Sequence, residues 1–503
     1  TNETSPEVVL TRTAYPDQGK VRSRMVTIRE LFEIVLLLAK VVLAALQGAP
    51  DFRSLERQIF EGCQAAARRL LELVCERLDE HLAEGRDKRR LRLIHRRKPR
   101  VVVTWFGEVQ LKRRYYRDEE TGNGRYLLDE ALGLEPRQQL SPLVQEQAVN
   151  LALDLPYHRA ARQLEALTLG AVSASAMTVW AATQAAGAAA RAQAEARQRA
   201  VFGDGEVPPG EGRPEMLHVE ADEVSVPARG PRGQRKRLEL KLAVGYEGKR
   251  DVGVDRRQLV NRRVHAGVMD AETFFEQMVA DFGQQWAWDA LRGCYFGADG
   301  AAWAKQGLEY LPDAVFRLDE YHWRKALRRG LGHDPIAYRQ VAVAIAEGRS
   351  WSETQPLLAA AAKRCRGRRR QGVRELERYL ANHWDGIRKD DRARSLGAIE
   401  GQVFHVVARR MKRHGARWSS CGADHLGRLL AARANGELAA FTRRRGSRRA
   451  DLVASVAFKP DLPEPTRAEL NEAEAWLRAR MPALYGPHAD RPWVKHKLRR
   501  LAH

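Results

Sequence analysis

Met216-Leu-His-Val-Glu-Ala-Asp222-Glu-Val-Ser-Val226 alternates apolar and polar residues at the period of a strand, with an acid at its centre. Burying a carboxylate is costly unless it is paired or bound to a cation, so Asp222 needs a partner. Alternation puts it on the face of Glu220, opposite Ala221 and Glu223. Working outward, 238–246 and 258–264 read as two more strands and 273–282 as a helix. Then 293–298 reads as a strand, 301–310 as a helix and 314–318 as a fifth strand. Upstream, 203–214 (GDGEVPPGEGRP) lacks periodicity and is rich in Gly and Pro, which makes it the clearest linker.

Three strands, a helix, a strand, a helix and a strand is the element order of an RNase H-like core. Two further acids fit it. Asp299 stands at the exit of the fourth strand, before Gly300, which tolerates close approach of backbone or ligand. Glu400 stands in Leu396-Gly-Ala-Ile-Glu400-Gly, among small residues at the start of a later helix. Glu375, Glu377, Asp385, Asp390 and Asp391 also fall late in the chain, but their Arg-rich surroundings read as solvated faces. Each acid alone is a weak signal, since a strand aspartate can be a satisfied core group and Asp-Gly a simple turn. Their order is what matters: two Mg2+ or Mn2+ ions about 3.5–4 Å apart need carboxylate oxygens converging from separate elements. Trp303 and Trp323 lie near these acids, either to stack on a flipped base or to fill the core. No GxxxxGK[ST] loop is present, so ATP is not expected.

The flanks are basic. The 503 residues carry 86 Lys+Arg against 64 Asp+Glu, a formal charge of +22, which points to a polyanion. A membrane is a poor candidate, since the longest apolar run, 34–46, is shorter than the roughly 20 residues a spanning helix needs. Nothing at the start reads as a secretion signal. Five scattered cysteines without a CxxC pair argue against a zinc ribbon or disulfide framework and suit a reducing cytoplasm. Nine of the fifteen residues from Arg86 to Arg100 are Lys or Arg, either a solvated face or a phosphate contact. Strands at 101–104 and 109–116 follow around Trp105-Phe-Gly107. Within 141–186 a helix-turn-helix is expected: 157–167, a turn at Gly170, and a recognition helix over 173–184 capped by Ser173. Thr27-Ile-Arg-Glu30 reads as a capping box for an apolar helix, which with 52–81 forms a hairpin serving dimerisation or ordinary core packing. The residues expected to touch DNA are Arg89, Arg90, Arg96, Arg97, Lys112, Arg113, Arg114, Ser173, Lys325, Arg368 and Arg369.

The run HVEADEVSVPAR…LELKLAVGYEGK…RRQLVNRRVHAG…GADGAAWAKQGLEYLPDAVFRLDEYHWRKAL…AIEGQV resembles the ISLre group of insertion-sequence transposases. So does the earlier TWFGEVQLKRRYYRD…LLDEALGL…SP, and the likeness covers roughly 25–440. The resemblance implies a bacterial DNA transposase with DDE chemistry, its acids falling on Asp222, Asp299 and Glu400 as ligands of Mg2+ or Mn2+. A helical insertion before the third acid, as in Mutator-like relatives, comes with an Asp-x-x-His motif matched by Asp319 and His322. Their role is to orient the scissile phosphate or support the metal site, unless Asp319 merely caps a helix. Expected partners are double-stranded DNA, both element ends and target, and further copies of the chain, with no membrane. The protein is expected in the cytoplasm, on the nucleoid when bound. An inactive DNA-binding regulator and a hydrolytic nuclease of the same fold are the alternatives.

The expected architecture is α+β and multidomain. A helical hairpin (1–85) and a basic β unit with helix-turn-helix (86–202) precede the linker (203–214). An RNase H-like α/β core (215–320) is interrupted by an all-helical insertion (321–394) and resumes over 395–437, and a basic tail (438–503) ends the chain.

Overall fold

The computed structural model describes residues 28–48, 51–230, 234, 236–254, 256–387, 396–413 and 415–442. The cap expected at Thr27 and nearly all of the basic tail lie outside the described residues. The fold is mixed α+β.

Helix α1 (Ile28–Gly48) packs along α2 (Phe52–Gly85), whose start is capped by Asp51 accepting from the Ser54 amide at 2.8 Å. Within the chain α1 is no core helix: Phe32, Val35, Val42, Leu43 and Leu46 stay exposed. Strands β1 (Leu91–Thr104) and β2 (Gly107–Asp118) pair antiparallel, and β3 (Gly124–Arg125) joins β2. The basic run is therefore mostly strand, ten residues longer at its start than the expected 101–104. Residues 94–99 are exposed on both faces, so no apolar alternation betrays them.

Helices α3 (Leu127–Leu132), α4 (Pro142–Ala152), α5 (Tyr157–Leu167) and α6 (Ala176–Gln198) follow. The bounds of α5 are the expected ones. Helix α6 starts later and runs further than expected, and its cap is Ser175, which accepts from the Thr178 amide at 3.1 Å. Ser173 lies exposed in the extended segment before that cap, too far upstream to reach the first turn.

The next elements are β4 (Leu217–Ala228), β5 (Lys236–Tyr246), β6 (Gly248–Gly253), β7 (Arg256–Val260), β8 (Arg263–Gly267), α7 (Ala271–Phe282), β9 (Cys294–Ala298), α8 (Ala302–Lys305) and β10 (Ala314–Leu318). Five strands form one sheet in the order β10-β9-β4-β5-β8, with β4 antiparallel to β5 and parallel to β9. The strand expected over 258–264 is two strands: β7 pairs with β6 in a separate hairpin, and β8 completes the sheet. Asn261 between them adopts φ +49, a left-handed turn that asparagine tolerates. The helix expected over 301–310 shortens to α8 and a 3-10 turn.

Four helices fill the region expected to be the insertion: α9 (Glu320–Leu331), α10 (Pro335–Ala346), α11 (Trp351–Arg364) and α12 (Gly367–Ile387), packed on a core of their own that includes Leu327, Val341, Leu358 and Leu376. Then α13 (Ile399–Gln402), a π-helical turn (Val403–Ala408), α14 (Arg409–Met411), α15 (Ser420–Ala434) and α16 (Leu438–Thr442) follow. Val224, Val226, Leu240 and Leu242 on one sheet face pack against α6, α15 and residues 399–411. Val219, Ala221 and Ala243 on the other meet Phe274, Phe275 and Met278 of α7. Trp303 stacks on Phe275 and Trp323 packs in the insertion core, so both tryptophans are packing residues. No described helix is long and apolar enough to cross a membrane.

A buried charge cluster ties these layers together. Asp281 on α7 accepts from Arg197 of α6 at 2.7 Å and from Arg263 of β8 at 2.8 Å. Despite burial, His265 and Arg263 hold its carboxyl well below the usual range. Removing one partner of a buried pair costs about 3–5 kcal/mol, because the other charge is stranded. Asp281→Asn is thus expected to lower the melting temperature by several degrees, checked by thermal denaturation at pH 7. Because the folded pKa is depressed, this contribution is present above the unfolded value of 3.8 and fades as pH falls below it.

Candidate active site

Strand register builds the site. Leu217 pairs with Cys294 and Glu220 with Gly297 on the parallel strands β4 and β9, while Leu318 of β10 pairs with Ala298. Two residues beyond Glu220 is Asp222, and two beyond Gly297 is Asp299. One residue beyond Leu318 is Asp319, whose amide donates to the Ala298 carbonyl at 2.9 Å. Asp222, midway along β4, therefore stands level with Asp299 and Asp319, which lie just beyond the ends of the parallel strands β9 and β10. Glu400 comes to the same place from α13, at the return from the helical insertion.

Each acid is held. Asp222 Oδ1 accepts from the Glu223 amide at 2.7 Å, and Asp299 Oδ1 from the Ala301 amide at 2.8 Å. The chain turns after Asp299 through Gly300 at φ +86, where His383 of α12 packs so closely that a Cβ would overlap its ring. The Tyr379 hydroxyl, one turn earlier on α12, lies 3.5 Å from the Asp299 carbonyl. Asp319 caps α9, accepting from the Tyr321 amide, and its other oxygen lies 2.9 Å from His322 Nδ1. Asp319 thus caps a helix and holds the histidine at once.

The electrostatics are those of crowded acids. Burial pushes the Asp222 carboxyl up to about 6; the Glu223 amide and His322 oppose this, and Asp299 and Glu400 add to it. The bond to Asp319 raises the His322 pKa, with Asp222 and Asp299 contributing. Ligand atoms of Asp319, His322 and Glu400 lie within 4.8 Å of one another. These two carboxylates and one imidazole, with Asp222 and Asp299 near enough to act on them electrostatically, fit a hard divalent cation such as Mg2+ or Mn2+ and offer no thiolate for a softer ion.

Of the five residues expected at the reaction centre, Asp319, His322 and Glu400 lie within ligand distance of one another, and Asp222 and Asp299 are their electrostatic neighbours. The rival acids do not join them: Glu375 is exposed and bonded to Gln371, Glu377 bonds Gln355, and Asp385 is exposed. Asp390 and Asp391 lie outside the described residues. Tyr379, His383 and the role of Glu220 escaped sequence reasoning.

The cations expected to meet DNA divide into two groups. Arg89, Arg96, Arg97, Lys112, Lys325, Arg368 and Arg369 are exposed. Arg113 is instead taken up by Asp129, which Arg100 also reaches, Arg114 by Asp79 at 2.5 Å, and Arg90 by Asp118 and Glu120. Arg113 and Arg114 lie on opposite faces of β2 and meet acids of α3 and α2, while Arg90 meets acids at the end of β2 and in the turn after it.

A family model described as uncharacterised protein family UPF0236 matches residues 47–446, and the chain belongs to that family. A UPF0236 protein of Caldanaerobacter subterraneus subsp. tengcongensis is 25% identical over 392 residues, covering 77% of this chain and 79% of the relative. Another from that organism, whose name joins eleven locus names, is 24% identical over 394 residues, covering 78% and 79%. The UPF0236 protein in the vanSb 3′ region of Streptococcus gallolyticus is 28% identical over 403 residues, covering 77% and 82%. Among solved structures, the Drosophila P element transposase strand transfer complex matches with 12% identity and a TM-score of 0.20, over 68% of this chain and 91% of that one. At that score the likeness carries no argument.

Proposed function

We propose that this member of the UPF0236 family is a DNA transposase of the insertion-sequence kind, with an RNase H-like core and a DDE site of Asp222, Asp299 and Glu400. The observation that carries this reading is the register that sets Asp222 level with Asp299 and Asp319, with Glu400 arriving beside them. The sheet order, three antiparallel strands and then two parallel ones, supports the RNase H-like assignment. A relative whose name joins eleven locus names supports mobility, since self-copying leaves a gene at many loci.

A water oxygen attacks phosphorus at the element's end, and the bond to the 3′ oxygen breaks to free a 3′-hydroxyl. That hydroxyl then attacks a target phosphodiester, making one bond for each broken, so no nucleotide cofactor is consumed. Bound Mg2+ or Mn2+ would supply charge neutralisation at both oxygens. Asp222, Asp299 and Glu400 would hold the cations, and Asp319 fixes the His322 ring through Nδ1. The exposed apolar face of α1 supports pairing with a second copy, as joining two ends requires.

The test is incubation with a duplex bearing the gene's flanking ends, Mn2+ and a target plasmid. Joined product is expected. Cleavage without joining leaves a nuclease, and binding without cleavage leaves a DNA-binding regulator. The basic hairpin gives a second expected result. Each phosphate contact contributes about −0.9 to the slope of log affinity against log salt. Arg96→Ala with Arg97→Ala, two exposed side chains, should flatten the slope by about 1.8. Arg114→Ala should leave it unchanged and lower stability instead, because Asp79 loses its partner. The measurement is binding of labelled duplex from 50 to 200 mM salt.

A further inference from the structure

Glu220 is a fully buried acid two residues before Asp222, on the same face of β4. An apolar side chain would fill that space without the cost of desolvating a carboxylate. What the carboxylate does there is accept. Its Oε2 receives the amides of Gly397 at 2.9 Å, Ala398 at 3.1 Å and Ile399 at 3.3 Å. Its Oε1 receives the Ala398 amide at 2.9 Å and the Tyr246 hydroxyl at 2.5 Å. Both oxygens are spent on these donors, so Glu220 is not a further metal ligand despite its neighbour.

The amides it gathers belong to the three residues just before Glu400. The peptide is fixed from its other side too, as Lys249 Nζ donates to the Leu396 carbonyl at 2.9 Å. Two glycines make the arrangement possible. Gly397 adopts φ +95, which lets successive amides point the same way, and a Cβ on Gly297 would lie 3.0 Å from Glu220 Cγ. The strand bearing the first acid thus grips the segment bearing the third, where the chain returns from the insertion.

We propose that Glu220 is a positioning residue: by clamping the amides of residues 397–399 to β4, it fixes the Glu400 carboxylate relative to Asp222. The proposal rests on the two-metal reading above and extends it to a residue that touches neither ion nor DNA. A productive site needs its groups held to within about 0.5 Å, and metal ligands owe that precision to the groups that hold them. Tyr246 and Lys249 complete the clamp.

The experiment compares wild type, Glu220→Gln, Tyr246→Phe and Lys249→Met in the full chain. The readouts are amide hydrogen exchange over 396–400, Mn2+ affinity by titration, and end-cleavage kinetics. Glu220→Gln presents one donor where only acceptors fit. Exchange at 397–399 should accelerate, Mn2+ affinity should fall about 10-fold, and kcat should fall about 10–100-fold with KM for DNA unchanged. Tyr246→Phe should show the same pattern more weakly. A merely structural residue would lower the melting temperature without that split between kcat and KM. A folded Glu220→Gln with wild-type Mn2+ affinity and kcat overturns the proposal. If it does not fold, unchanged Mn2+ affinity and kcat in both Tyr246→Phe and Lys249→Met overturn it equally. A wild type that neither binds Mn2+ nor cuts DNA defeats the two-metal reading itself, and exchange then decides the clamp alone.

Discussion

Asp222→Asn, Asp299→Asn and Glu400→Gln are each expected to reduce end cleavage by at least about 10³-fold, with DNA affinity within about twofold of wild type. A bound divalent cation contributes several kcal/mol of transition-state charge stabilisation, and each 1.36 kcal/mol is a factor of ten in rate. About 4 kcal/mol therefore sets the floor on the loss. Binding is spared because the exposed cations of the β1–β2 hairpin and α12 lie on other elements. The three losses should not add in double variants, since the acids serve one site. Single-turnover cleavage of a labelled end duplex, with binding by gel shift, checks both halves. A Glu400→Gln protein that cuts normally would move the third acid elsewhere, and Asp319, within reach of the same position, becomes the substitute.

The legible part of this site was the part written in local pattern. An acid in the middle of an alternating strand and an Asp-Gly at a strand exit are visible because strand period and turn chemistry act over a few residues. The exact level at which Asp222 and Asp299 meet follows from β4–β9 register, which the sequence implies only once both strands are placed. What stayed hidden has a different physics. Glu220 reads as one more polar residue until residues 397–399 are brought to it by a chain that first makes four helices. His383 and Tyr379 lie on an amphipathic helix whose pattern says which face is buried, not what it is buried against. The outer half of β1 has no buried face to show in its pattern, and the β6–β7 hairpin is masked because 258–264 reads as one strand although Asn261 turns the chain between β7 and β8. Arg113 and Arg114 read as DNA contacts because charge alone does not report that acids wait on neighbouring helices.

Asp222→Asn is expected to do something else besides abolish cleavage: make the metal-free protein more stable at neutral pH. The Asp222 carboxyl ionises near 6 in the folded chain against 3.8 ordinarily, chiefly through burial. For an acid whose folded pKa is raised, the folded state binds more protons than the unfolded one between those values. Stability therefore falls as pH rises through that window and stays low above it. At 1.36 kcal/mol per unit, discounted for partial solvation, the cost at pH 7 is about 2 kcal/mol. The amide keeps the shape without the charge, so the variant should melt a few degrees higher at pH 7. The gain should roughly halve by pH 5, where part of the wild-type carboxyl is already protonated. Added Mg2+ should reverse the order. At 100 times its dissociation constant, an ion that binds only the folded state stabilises wild type by about 2.7 kcal/mol, and the variant should gain far less. Thermal melts of both proteins at pH 5 and pH 7, with EDTA or Mg2+, give the four comparisons needed. A wild type more stable than Asp222→Asn in EDTA at pH 7 would mean that an internal cation already compensates the carboxylate, with the protonated His322, whose pKa the acids raise, the nearest candidate.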